Sequence, residues 1–144
     1  MGALPRIVTL ACLVAVASAT TANASAFYGT SDPHGVSILL DTNKAGKPTG
    51  MSFGHYKVPC TNGYRLGYRV GSMDPPFDRA TPRVLVDRWH KVKQDGSEIT
   101  ISVHAHERGD GWQGRFKSRW VFRDDGEVST RCGFAFSFVL EPAS

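Results

Sequence analysis

The sequence predicts an all-β protein, a single antiparallel β-sandwich domain of Ig-like type, on three observations. Apolar and polar residues alternate strictly, as in Ile99, Ile101, Val103 and Ala105 against Thr100, Ser102, His104 and His106. Turn residues punctuate these segments, and 15 glycines with 8 prolines supply enough turns for many short strands. No stretch carries a sustained helical period with caps. A small closed barrel is the second architecture that fits this pattern.

The N-terminus reads as an export signal. Arg6 is the one cation before an almost unbroken apolar run over 7–19. That run has the length of a secretory signal and falls short of the roughly 20 residues needed to span a bilayer. Ala22-Asn23-Ala24 and Ala24-Ser25-Ala26 are both small-residue cleavage sites. Cleavage after Ala26 is expected, because Phe27-Tyr28-Gly29 opens ordered-looking sequence. This gives a signal peptide over 1–26 and a secreted domain over 27–144. Cys12 leaves with the signal, since a lipoprotein signal would carry Leu where Thr9 stands. Arg6 leaves too, so the formal charge of +4 falls by one to +3. About 118 residues remain, enough for one core, and the expected product is a monomer without a membrane anchor.

Along the domain, 36–40 and 50–58 are the first strand candidates. In the second, Met51, Phe53, Tyr56, Val58 and Cys60 share one face if Gly54 marks a bulge. Asn62-Gly63 then turns the chain into Tyr64, Leu66, Tyr68 and Val70, alternating with Arg65, Gly67 and Arg69. Residues 71–82 (GSMDPPFDRATP) read as a long loop stiffened by proline, with Met73 and Phe77 at its tip. Such a tip is either a recognition element or, with Phe77 folded back, a plug over the core. A weak strand over 84–89 precedes the Asp95-Gly96 turn and the alternation over 99–105.

The C-terminal hairpin allows a register to be attempted. A three-residue loop, Asp124-Asp125-Gly126, sets Phe122 against Val128 and Trp120 against Thr130. Ser118 then meets Cys132, Phe116 meets Phe134, Gly114 meets Phe136 and Trp112 meets Phe138. A two-residue loop sets Trp120 against Arg131, which packs poorly. On the other face Arg115, Lys117 and Arg119 align, with Arg119 opposite Arg131. Opposed like charges are unfavourable unless an acid or anion lies between them. These four cations are the candidate ligand-binding residues, for an anion such as a cell-wall polymer, a phosphate or an acidic protein surface. The alternative is a solvated sheet face.

Cys60 and Cys132 are the two mature cysteines, about 70 residues apart. Both fall on packed faces, so a structural disulfide is expected, worth on the order of 4 kcal/mol from loop-closure entropy. The pair lacks the C-x-x-C spacing of redox and metal sites. His104 and His106 share a strand face, and His34, His55, His90 and Glu107 are available as further ligands, but nothing in the sequence fixes their proximity, and no metal or other cofactor is expected. No nucleophile elbow, H-E-x-x-H, glycine-rich phosphate loop or paired-carboxylate motif occurs, so no catalytic residue is expected.

The stretches FYGTSD (27–32), PCTNG (59–63), GWQGRFKSRWVF (111–122), the Asp124-Asp125-Gly126 turn and RCGFAFSF (131–138) carry a resemblance. Together they resemble small secreted β-sandwich proteins of actinobacteria, mostly uncharacterised. The resemblance implies a fold and no catalytic residues. The expected function is therefore a secreted, non-enzymatic module binding an anionic cell-wall polymer or an extracellular protein, with no nucleic acid expected. The alternative is a hydrolase inhibitor acting through the loop 71–82.

Overall fold

In the computed structural model, residues 24–32, 35–54, 56–68 and 71–144 are described. They form β1 (Ser25–Asp32), β2 (Ser37–Thr42), β3 (Pro48–Phe53), β4 (Tyr56–Pro59), β5 (Arg65–Tyr68) and β6 (Gly71–Met73). The second half holds β7 (Arg79–Thr81), β8 (Val84–Val92), β9 (Glu98–Arg108), β10 (Gly111–Asp124) and β11 (Glu127–Pro142). Every described element is a strand, as the alternation required. Residues 1–23, which include the expected signal, and His34, His55, Arg69 and Val70 lie outside the described residues.

Nine strands make one antiparallel sheet in the order β6-β3-β2-β1-β11-β10-β9-β8-β7, and β4-β5 form a separate hairpin. Neighbours in the sheet are neighbours in the chain, except where β1 joins β11 and where the hairpin interrupts β3 and β6. This next-neighbour order departs from the expected Ig-like sandwich, whose strands cross between two sheets in Greek-key fashion. The two edge strands, β6 and β7, are consecutive in the chain and joined by residues 74–78. Nine flat strands would put those edges about 38 Å apart. A five-residue connection reaches only about 21 Å between its flanking residues. The sheet must curl, which brings the architecture toward the barrel alternative.

The curl packs opposite walls together. Phe53 on β3 meets Phe116 on β10 with ring centroids 4.6 Å apart, and Phe116 stacks on Phe136 at 4.9 Å. Met51, Phe53, Tyr56 and Val58 are all buried, as expected of one inward face. Gly54 does not bulge a continuous strand but ends β3, and its N–H donates to the Ser37 carbonyl at 2.7 Å. The β4-β5 hairpin then docks inward, with Tyr56 5.1 Å from the Phe134 ring. Ile99, Val103 and Ala105 are buried from β9, and Phe136, Phe138 and Leu140 from β11. Tyr64 is the exception to its predicted face, standing exposed beside the turn.

The β10-β11 register differs from the expectation by two residues. Arg123 pairs with Val128, but Phe122 pairs with Thr130, Trp120 with Cys132, Ser118 with Phe134 and Gly114 with Phe138. The loop is the two-residue Asp125-Gly126, both at positive φ (46° and 84°), the conformation of a type I′ turn. Ser129 is the extra residue of a bulge that follows it. The bulge restores the parity that a bare two-residue loop would lose, so Trp120 faces the core and not Arg131. The expected faces survive, while each cross-strand partner from Phe122 back to Trp112 moves by two.

The disulfide joins Cys60 to Cys132 as expected, ending the hairpin on β11. Thr61 N–H donates to the Arg131 carbonyl at 2.8 Å, and Arg131 N–H to the Thr61 hydroxyl at 3.2 Å. Replacing both cysteines by alanine is expected to cost on the order of 4 kcal/mol in urea denaturation, because a long loop is released in the unfolded chain. A second outcome concerns Gly114. A Cβ there would lie 2.6 Å from the His104 carbonyl oxygen and 2.7 Å from the Phe138 ring. Gly114→Ala is expected to lose about 1–3 kcal/mol by overpacking. Gly67→Ala, with nothing within 4 Å of the new methyl group, serves as the near-neutral comparison in the same melts.

Candidate functional site

Alternation on β8 to β11 buries one set of residues and leaves the other on the outside of the curl. On β10 the outward residues Arg115, Lys117 and Arg119 are exposed, as is Arg131 on β11. All four predicted ligand-binding cations thus share the outer face, but not in the expected arrangement. Arg119 lies opposite Gly133, Lys117 opposite Ala135, Arg115 opposite Ser137, and Arg131 opposite Val121. The opposition of Arg119 and Arg131 is therefore relieved by the two-residue shift. Each of four successive outward pairs carries a single cation.

Arg88 joins this face from β8, in one cross-strand row with Ser102 and Lys117. Sequence reading missed it because 84–89 has a weak alternation of its own. The Asp95-Gly96 turn held the signal, since it sets Val92 against Glu98 and hence Arg88 against Ser102. Carboxylates are few here. The ion pairs among the described residues are Arg83–Glu107 (4.0 Å), His90–Glu98 (3.5 Å) and Arg123–Glu98 (3.8 Å). None of them includes Arg88, Arg115, Lys117, Arg119 or Arg131. These cations are solvated and available to an anion.

At the Arg115 end the face dips into a groove of about 740 Å³, lined by Asp32, His104, Gln113, Arg115 and Ser137 with Val139 as an apolar wall. His104 pairs with Arg115, which pairs in turn with Ser137, and that with Asp32 on β1. Arg108 donates to the Gln113 carbonyl oxygen at 2.6 Å, which turns the Gln113 amide toward His106 Nε2 at 2.7 Å. Both histidines face outward as expected. Among the described residues no group of three metal-capable side chains forms. At the opposite end a smaller hollow, about 370 Å³, lies between Thr61, Arg131 and Gly133 beside the disulfide.

The loop 71–82 is not a free loop. Its ends are β6 and β7, Met73 is buried at 6% exposure, and Phe77 packs against the core. Of the two arrangements the sequence allows for this tip, the structure shows the folded-back one, which gives the seam of the curl its apolar cover. There, Asp78 N–H donates to Asp87 Oδ1 at 3.2 Å, and Arg88 N–H to Asp78 Oδ2 at 3.0 Å. A cavity of about 280 Å³ along the seam is lined by Met73, Asp74, Asp87, Trp89 and Ile101.

No protein-family model matches the chain, and no curated protein and no solved structure shows significant similarity to it. The chemistry of the site therefore rests on its own residues. No evidence assigns it a catalytic activity.

Two carboxylates give the fold a pH signature. Burial raises Asp87 above its ordinary value, the Asp78 N–H opposes this, and the Asp78 charge adds to it. The folded chain thus holds this proton more tightly than the unfolded one, so stability falls as pH rises from 3.8 through the raised folded value. Asp95 is shifted the other way by the Ser97 N–H, which donates to it at 2.8 Å, and by the Ser97 hydroxyl. Its contribution is present above 3.8 and lost as pH falls through the lowered folded value. Asp87→Asn is expected to gain stability relative to the wild type between about pH 3 and pH 7, as read by urea denaturation. Asp95→Ala is expected to be the less stable protein at about pH 7 and to converge on the wild type in strong acid.

Proposed function

We propose that this chain is an exported, non-enzymatic β-protein that binds an anionic extracellular polymer, such as cell-wall material, through the outer face of β8 to β11. The observation that carries this reading is the set of exposed cations, Arg88, Arg115, Lys117, Arg119 and Arg131, outside every ion pair among the described residues. Long strands hold them in fixed order, and a polyanion gains affinity as these side chains displace its condensed counterions. Nothing in the packing of Met73 and Phe77 favours the alternative of a protease inhibitor, since the tip it needs is folded away.

Export belongs to the same reading. The Cys60–Cys132 disulfide is compatible with an oxidising compartment. The apolar N-terminal segment supports it, and the resemblance drawn from the cysteine, glycine and aromatic spacings agrees with it. The geometry of β1 favours the earlier cleavage site. Ser25 pairs with Thr42 and Ala26 with Asp41, and the Ala26 carbonyl accepts from Ala143 N–H at 2.8 Å. Cleavage after Ala24 keeps both residues in the sheet, whereas cleavage after Ala26 removes them.

N-terminal sequencing of the exported protein is expected to begin at Ser25. Binding is tested with the double variant Arg119→Glu and Arg131→Glu, in pull-down on cell walls and in titration with soluble anionic polymers. A loss of roughly tenfold or more is expected, steepest at low salt. Both side chains are exposed, so the melting curve should stay within about 0.5 kcal/mol of the wild type. Unchanged binding would sink the reading.

A further inference from the structure

The four outward pairs on β10 and β11 do more than accumulate charge. They arrange it in single file: Arg131, Arg119, Lys117, Arg115, one cation at each successive pair. The partner at each step is uncharged, being Val121, Gly133, Ala135 and Ser137 in turn. Outward residues on an antiparallel strand recur about every 6.8 Å. The file is thus a charge ruler, with that repeat among Arg119, Lys117 and Arg115 on β10 and a wider step of about 8 Å across to Arg131 on the adjacent β11, running from the hollow beside Cys60 and Thr61 to the groove at His104.

A linear ligand that satisfies all four cations needs an anion at the same interval along its backbone. Three backbone bonds of a peptide span 3.8 Å, so six bonds span about 7 Å in a slightly relaxed chain. Phosphodiesters joined by three-carbon units have six bonds from one phosphorus to the next. Inorganic polyphosphate, with an anion every two bonds, is far denser than the ruler. Three of the four cations are arginines, whose planar fork suits two phosphate oxygens at once. Resting on the polymer-binding reading above, we infer that the ligand class is a linear polyphosphodiester with three-carbon spacers, lying along β10-β11 with one phosphate per cation.

The groove then receives the end of the chain. Its Ser137, Gln113 and Asp32 offer hydrogen-bonding groups for the hydroxyls of a terminal unit, past the last phosphate at Arg115. This polarity fixes a length: four phosphates fill the file, and longer chains add nothing within it.

The test titrates the secreted protein with glycerol-phosphate oligomers of two, four and eight units, and with inorganic polyphosphate and polyglutamate at equal charge. The tetramer is expected to bind roughly tenfold or more tighter than the dimer and than polyphosphate, with log affinity falling against log salt at a slope near −3. Lys117→Gln should reduce that slope by about one quarter, the share of one contact in four. Equal binding by all three polymers would overturn the ruler while leaving the anionic face intact. No binding by any of them would overturn both.

Discussion

The structure depends on one local constraint, the way the chain turns between its two longest strands. Asp125 and Gly126 adopt left-handed conformations that a type I′ turn demands. On its own that turn would place the aromatic face of β10 against the polar face of β11. The single extra residue, Ser129, shifts the pairing by one and restores aromatic against aromatic. Its hydroxyl donates to the Phe122 carbonyl at 3.2 Å, so the bulge is anchored on the strand it faces. From this point the pairing runs unbroken from Phe122 to Trp112, and it fixes Cys132, the ring cluster and the external cations together.

The curl of the sheet follows from the same interior. Phe116 is touched by Phe53 from the far wall, by Tyr56 from the docked hairpin, and by Phe134 and Phe136 beside it. A flat sheet could not bring β3 within reach of β10. Gly114 makes the bend possible where β9, β10 and β11 meet, because the His104 carbonyl and the Phe138 ring occupy the space of a side chain. The short β6-β7 connection holds the opposite seam, where Asp78 bridges to β8 through its own N–H and carboxylate.

Parity was legible in the sequence, and order was not. Alternation named the inward face of β9 and β11 and placed both cysteines on packed faces, because a strand's side-chain period is fixed by its pleat. It also put Arg115, Lys117, Arg119 and Arg131 together outside. Partner identity escaped it, since a bulge leaves no mark of its own in the amino-acid alphabet. Sheet order escaped it for a different reason: a meander and a Greek key contain the same strands. The strands β6 and β7, three residues each beside a proline-rich connection, are too short to show a period, so Met73 read as a loop tip when it is a core residue.

The inner face alone does not choose among registers that differ by two. Slide β11 by that amount and phenylalanine still meets an aromatic, small or apolar partner at most positions. The outer face does discriminate. In the slipped register Arg119 stands against Arg131, a repulsion of a few tenths of a kcal/mol to about 1 kcal/mol for such a pair. In the observed register each cation has an uncharged partner, and the repulsion is spread over intervals of about 7 Å or more, where water screens it. The disulfide adds to this choice, since Cys60 reaches Cys132 only where Thr61 pairs with the Arg131 backbone. The crosslink therefore acts on the exterior as well as the core. It pins the backbone of the first cation in the file, close to the turn and bulge that set the register of the rest.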